Sequence, residues 1–309
     1  MTHRIVILGP TAGGKSEIGL RVAERLGAEI VGADSRQIYR GMEIGTAAPS
    51  DADRARAPHH LASFLSPAET YSAGRYARDA RAAIDAIEER GRTAIVIGGS
   101  GLYLRALLDG LFEGPERDES VRARLTARLE AEGLPALRAE LERVDPEALA
   151  TILPGDAVRV IRALEVHALT GTPISALRRG RRHEPTAARR YGIRWARPSL
   201  AVRIRDRIDQ QLRDGFLAQA EALRDAGLPS GAPGHGTLGY RELLAHLRGE
   251  TTLAEAVETI ALRTRQLAKR QETWFRKVAD VRWLDLESPD QFPAAAEAIA
   301  REAEREKGA

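Results

Sequence analysis

Eight residues near the start of the chain, GPTAGGKS (Gly9, Pro10, Thr11, Ala12, Gly13, Gly14, Lys15 and Ser16), have the types and spacing to hold a chain of phosphate oxygens. In such a loop the backbone N–H groups form a nest, Lys15 reaches the terminal phosphate, and Ser16 offers a hydroxyl to Mg²⁺. The apolar run Ile5 to Leu8 before it reads as a buried strand, and Lys15 to Leu26 as a helix whose N-terminus favours an anion. This pattern is specific for polyphosphate and says little about the reaction. An ATPase or kinase built on it carries a second apolar strand ending in Asp, yet TAIVIGG ends in Gly98-Gly99. The run that does end in Asp is Glu29 to Ala33, followed by Asp34. Two readings of Asp34 stay open on spacing alone. It is either a helix N-cap, with Gln37 at the third position, or a carboxylate beside the phosphate site, serving as general base or Mg²⁺ partner. His59 and His60 are adjacent, so in extended backbone they point opposite ways and cannot chelate one metal; supporting or core roles are expected.

The elements that must position these groups alternate between strand-like and amphipathic stretches over the first hundred residues. The class expected is α/β: a phosphate-loop NTPase-like parallel sheet core flanked by helices, with a helical insertion domain. Ser72 caps a helix that stops at Gly91, and a helix from about Leu102 follows the glycine-rich turn. From about 113 to 189 the β-type pattern gives way to charged, Ala- and Leu-rich helical stretches punctuated by Gly133, Pro135, Pro146 and Pro154. The core is therefore expected from 1–112 and 190–309, and the insertion from 113–189. YGIRWA reads as a returning strand, Ile204 to Gly227 as one long helix, and VRWLDL as a last strand.

The absence of cysteine excludes disulfides, thiolate metal sites and cysteine nucleophiles. No apolar run is long enough for a bilayer, and a cytoplasmic monomer is the default expectation. The net charge is only +3, but the cations are 43 Arg against four Lys, and arginine suits phosphates and stacks on bases. Two regions concentrate them. Arg178 to Arg197 carries eight Arg and one Glu, and RTRQLAKRQETWFRK places Arg263, Arg270 and Lys277 seven residues apart beside an apolar stripe of Ile260, Leu267, Trp274 and Val278. Two Arg-rich patches beside a polyphosphate site suggest a nucleic-acid backbone as a second ligand.

In order along nearly the whole chain, GPTAGGKS, GADSRQIYRGMEIGTAAPS, PHHL, AGRYARDARAAI, GGSGLYLRALLDG, DAVRVIRALEV, GYRELLAHLRGE and TRQLAKRQETWFRK resemble the bacterial tRNA dimethylallyltransferase (tRNA isopentenyltransferase) family. The resemblance implies transfer of a dimethylallyl group from dimethylallyl diphosphate to N6 of the adenine just 3′ of the anticodon, in tRNAs reading codons that begin with U. It implies a Mg²⁺ requirement and the tRNA anticodon stem-loop as partner. Asp34 matches the family's base, Thr11 its loop threonine at the reacting end, and Lys15 with Mg²⁺ near Ser16 would neutralise the leaving diphosphate. The family's tRNA contacts map onto Asp34, Ser35, Arg36, Gln37, Ser100, Arg122, Val158, Arg159, Val160, Ile161 and Arg162, then Tyr240, Arg241, Lys269, Arg270 and Arg276. Ser100 stands where many members have Thr, and Ala48 where a Lys is common, which puts a phosphate contact from that position in doubt. Rival classes are a phosphate-loop small-metabolite kinase using ATP and a non-catalytic RNA-binding protein.

Overall fold

The computed structural model describes residues 4–110, 114–115, 117–179 and 186–307. The chain divides into two compact units, 1–108 with 186–309, and 109–185.

In the first unit, β1 (Arg4–Leu8) leads through the loop to α1 (Lys15–Leu26) and β2 (Glu29–Gly32); α2 (Glu43–Thr46), α3 (Asp51–Arg56) and β3 (His59–His60) follow. Next come α4 (Ala73–Glu89), β4 (Ala94–Gly98) and α5 (Gly101–Leu108). Helix α4 starts where the sequence indicated: the Ser72 side chain accepts from the Arg75 N–H. The apolar runs are continuous because both sheet faces are covered. Ile5, Ile7, Ile30, Ile95 and Ile97 face one core, and Val6, Leu8, Val31 and Val96 the other. The two-residue strand β3 went unread because it is too short to show a period.

The second unit holds α6 (Glu119–Val144), kinked at Gly133 (φ 77°, ψ 165°) ahead of Pro135, then α7 (Pro146–Ala150), α8 (Ala157–Thr170) and α9 (Ile174–Arg179). Its own core gathers Val121, Leu125, Leu137, Leu141, Val160, Ile161 and Leu164.

The first unit resumes with β5 (Arg189–Trp195), α10 (Arg197–Arg213), α11 (Phe216–Asp225), α12 (Tyr240–Leu247), α13 (Leu253–Phe275), β6 (Val281–Leu286) and α14 (Phe292–Lys307). The single long helix expected from Ile204 is thus two, broken at Gly215, where φ is 99°. Among the described residues six strands form one parallel sheet in the order β3-β2-β4-β1-β5-β6. Strands β1 and β2 therefore flank β4, and the segments leaving their carboxyl ends meet over it. Ligands of open parallel sheets sit at that edge. Among the described residues no helix is long and apolar enough to cross a membrane.

Candidate active site

The phosphate loop shapes itself around one carbonyl. Pro10 O accepts from the Gly13 N–H at 3.2 Å and from Lys15 Nζ at 2.7 Å. Gly14, the N-cap of α1, has φ 86°, and a Cβ there would lie 2.3 Å from the Phe292 ring, so only glycine fits. The first N–H groups of α1 find no acceptor within a helix and are left to an anion.

Asp34 stands at the neighbouring strand end. The Ala33 N–H donates to Ile97 O at 2.7 Å, and Ala33 O accepts from the Ser100 N–H at 3.1 Å, so this segment crosses the end of β4. Hence β4 ends in Gly98: a Cβ there would stand 2.0 Å from Ala33 O. Asp34 Oδ1 accepts from the Arg36 N–H at 2.9 Å, a turn contact. No helix begins between Asp34 and α2 at Glu43, which rules out the N-cap reading. Gln37, the residue that would complete such a cap, donates instead to Thr46 O and Ala47 O at 3.2 and 2.8 Å. The Ser35 N–H donates to Ser100 Oγ at 2.9 Å, and Arg36 reaches Pro233 O at 3.2 Å. The hydroxyl at Ser100 therefore has a structural task that either Ser or Thr can perform.

Thr11, Ala12, Gly14, Lys15, Ser16, Asp34, Gln37 and Ala48 line one cleft of about 620 Å³. Three further side chains in its wall were not legible as site residues. Arg207 donates to Thr11 Oγ1 at 3.3 Å and Arg203 Nε to Ala12 O at 2.9 Å. Gln271 Oε1 accepts from the Thr11 N–H at 2.8 Å while its Nε2 donates to Gly99 O at 2.9 Å. The signal for the two arginines was their spacing of four on α10 next to the buried Ile204 and Ile208. Desolvation pushes the Lys15 ammonium down to about 8; Asp34 opposes the shift and Arg207 reinforces it. Desolvation likewise lowers Arg207, which remains a cation. Two half-buried cations beside a nest of N–H groups make a strong anion site. Ser16 and Asp34 add hard oxygen donors of the kind Mg²⁺ takes alongside phosphate and water. Among the described residues no group of three His, Asp or Glu is placed to hold a metal alone. His59 bonds Ala57 O and His60 bonds Glu29, both supporting contacts.

The residues expected at an RNA surface divide sharply. In α8, Val158 is exposed and Arg159 pairs with the capping Asp156, but Val160 and Ile161 are core residues of their unit, so their side chains are not on offer to RNA. Arg162 and Arg122 both reach the fully buried Glu165, at 2.8 and 3.5 Å. Tyr240 is also buried, its hydroxyl bonded to Gln219 and to the Gly45 N–H, and it cannot be a surface contact. Arg241 pairs with Glu242 at 2.8 Å. Lys269, Arg270 and Arg276 are exposed on α13 and its C-terminal end. Trp274 sits edge-on to Phe275 against the core, as expected of the stripe it belongs to. Residues 180–185 lie outside the described residues, and Arg190 and Arg194, on β5, are engaged by Ala279 O and Asp285.

Residues 37–278 match the model of a family described as IPP transferase. This chain belongs to that family. Relatives in it include the tRNA dimethylallyltransferase of Geobacter metallireducens, 44% identical over 293 residues that cover 94% of each chain. That of an Anaeromyxobacter species is also 44% identical, covering 96% of this chain and 95% of its own. Among solved structures, the tRNA isopentenylpyrophosphate transferase of Bacillus halodurans superposes with a TM-score of 0.71 at 36% identity, covering 99% of this chain and 98% of its own. A eukaryotic dimethylallyltransferase acting on tRNA superposes at 0.82 with 26% identity, over 96% of this chain and 77% of its own. None of these family members is a kinase, and β4, ending in glycine, lacks the carboxylate that reading needs.

Proposed function

We propose that this IPP transferase moves a dimethylallyl group from dimethylallyl diphosphate to N6 of the adenine 3′-adjacent to the anticodon, in tRNAs that read codons beginning with U, and releases diphosphate. The observation that carries the reading is that the Asp34 carboxylate and the cationic loop line one cleft from strands on either side of β4.

The adenine amine is a weak nucleophile because its lone pair is delocalised into the ring. As N6 bonds to the allylic carbon, the carbon–oxygen bond to diphosphate breaks, its electron pair leaves with the oxygen, and the N6 proton passes to Asp34. A positioned base of this kind contributes about 10²- to 10⁴-fold. At the other end, Lys15, Arg207 and the N–H groups of the loop meet the charge that grows on the leaving oxygen, the larger electrostatic term. Thr11 presents its hydroxyl between Arg207 and the reacting end. Ser16 would hold Mg²⁺, which would supply further neutralisation of the diphosphate charge.

On the RNA side, Asp34 to Gln37 and Ser100 form the turn that receives the adenine, and Arg122, Val158, Arg159, Arg162, Arg241, Lys269, Arg270 and Arg276 serve the anticodon stem-loop. An unstacked loop base is cheap to flip, and arginines on phosphates fix its register. The chain acts as a cytoplasmic monomer with the insertion as a separate helical domain. Incubation with labelled dimethylallyl diphosphate, Mg²⁺ and unmodified tRNA tests this: label is expected in tRNA, and its absence under every condition rejects the transferase.

A further inference from the structure

The loop is also gripped through its carbonyls, by side chains that leave its N–H groups to the ligand. Arg203 Nε donates to Ala12 O at 2.9 Å, and the Trp195 indole N–H donates to Gly13 O at 3.0 Å. The guanidinium lies 4.5 Å from the Trp195 ring centroid and 5.2 Å from that of Phe292, and the two rings meet edge to face at 6.2 Å. The same Phe292 ring occupies the space a Cβ at Gly14 would need. Three consecutive loop residues thus rest on one cation–aromatic cluster drawn from β5, α10 and α14.

Geometry gives that cluster a task. A trans peptide is planar, so the N–H of a residue points opposite to the preceding carbonyl. Anchoring Gly13 O on Trp195 therefore aims the Gly14 N–H to the far side, at the head of α1. Ala12 is held at φ 58°, a left-handed conformation that alanine does not adopt unaided, and the bond to Arg203 fixes the carbonyl of that residue. We infer that Trp195 and Arg203, seated on Phe292, are positioning residues that set the donor directions of the phosphate loop toward the leaving diphosphate. The inference rests on the transferase reading for the identity of the anion.

Two substitutions separate aim from bulk. W195F keeps a ring for Arg203 to stack on and removes only the N–H. R203K keeps the charge and loses the flat stack and the Nε donor. Calorimetric titration with inorganic pyrophosphate and Mg²⁺, the KM for dimethylallyl diphosphate, tRNA affinity by filter binding and the thermal midpoint are measured on each full-length chain. Each variant is expected to weaken pyrophosphate binding and raise that KM by roughly 5- to 50-fold, with tRNA affinity unchanged. The double variant should lose less than the product of the two, because one unit is broken twice. Wild-type pyrophosphate affinity in W195F or R203K overturns the clamp, whatever the thermal midpoint does, and so does an equal loss of tRNA affinity. If the wild-type chain binds pyrophosphate but transfers no prenyl group, the transferase reading fails while the binding comparison still decides the clamp.

Discussion

Two regions of this molecule hold arginine and lysine in opposite ways. In the cleft of the sheet unit, Lys15 and Arg207 are partly desolvated, and they hydrogen-bond to neutral oxygens, Pro10 O and Thr11 Oγ1, with Asp34 acting on both only through its charge. In the helical insertion, Arg122 and Arg162 share the carboxylate of Glu165, which is 0% exposed. A partly desolvated cation bonded only to neutral groups is costly until an anion arrives, whereas a cation already matched holds its helices together. The first arrangement is completed by a ligand; the second already holds its counter-ion and keeps only its exposed donors for RNA. Motif membership alone does not distinguish them, because Lys15 and Arg162 both lie in segments that resemble the family's.

The comparison can be broken at either end. The largest effect is expected from Asp34→Ala, which should lower single-turnover transfer by roughly 10²- to 10⁴-fold with tRNA affinity little changed; an unaltered rate would leave Asp34 as a turn residue. Lys15→Met follows, at about 10²- to 10³-fold in kcat, the range for removing one preorganised charge-stabilising donor. Glu165→Gln should act on stability. Leaving two arginines without their shared carboxylate is expected to cost toward the lower end of ~3–5 kcal/mol in denaturant unfolding, with pyrophosphate affinity unmoved. A loss of pyrophosphate binding there would erase the contrast. A smaller effect concerns pH. With Lys15 at about 8 in the free protein, the cation that the diphosphate needs is present below that value and lost as pH rises through it. Affinity for pyrophosphate should therefore decline above about pH 8, and Lys15→Arg should flatten the decline. Smallest of all, replacing Lys269 and Arg270 with Ala should reduce the salt slope of tRNA binding by about one to two; an unchanged slope returns them to plain surface.

How much of this was legible depended on how local the cause was. The helix Lys15–Leu26, the Ser72 cap and the strand ending before Asp34 follow from neighbours within a few residues, and the structure has each of them. Trp195, Arg203, Arg207 and Gln271 reach the loop from more than 180 residues away, and an arginine four residues from another reads locally as a solvated face. Nor could a motif string tell outward from inward. Val160, Ile161 and Tyr240 belong to shared segments, but their neighbours in space make them core. The helix break at Gly215 escaped because the apolar pattern continues through it.

Strand order has one more consequence. Because β1 and β2 each pair with β4, the loop and the Asp34 turn leave the sheet two interstrand spacings apart, about 9.6 Å. A hydrogen bond to the amine, a near-attack gap, one carbon–oxygen bond and a hydrogen bond to the departing oxygen together span roughly 10 Å. The sheet is a gauge block: its hydrogen-bonded width sets how far apart the loop and the Asp34 turn enter the cleft.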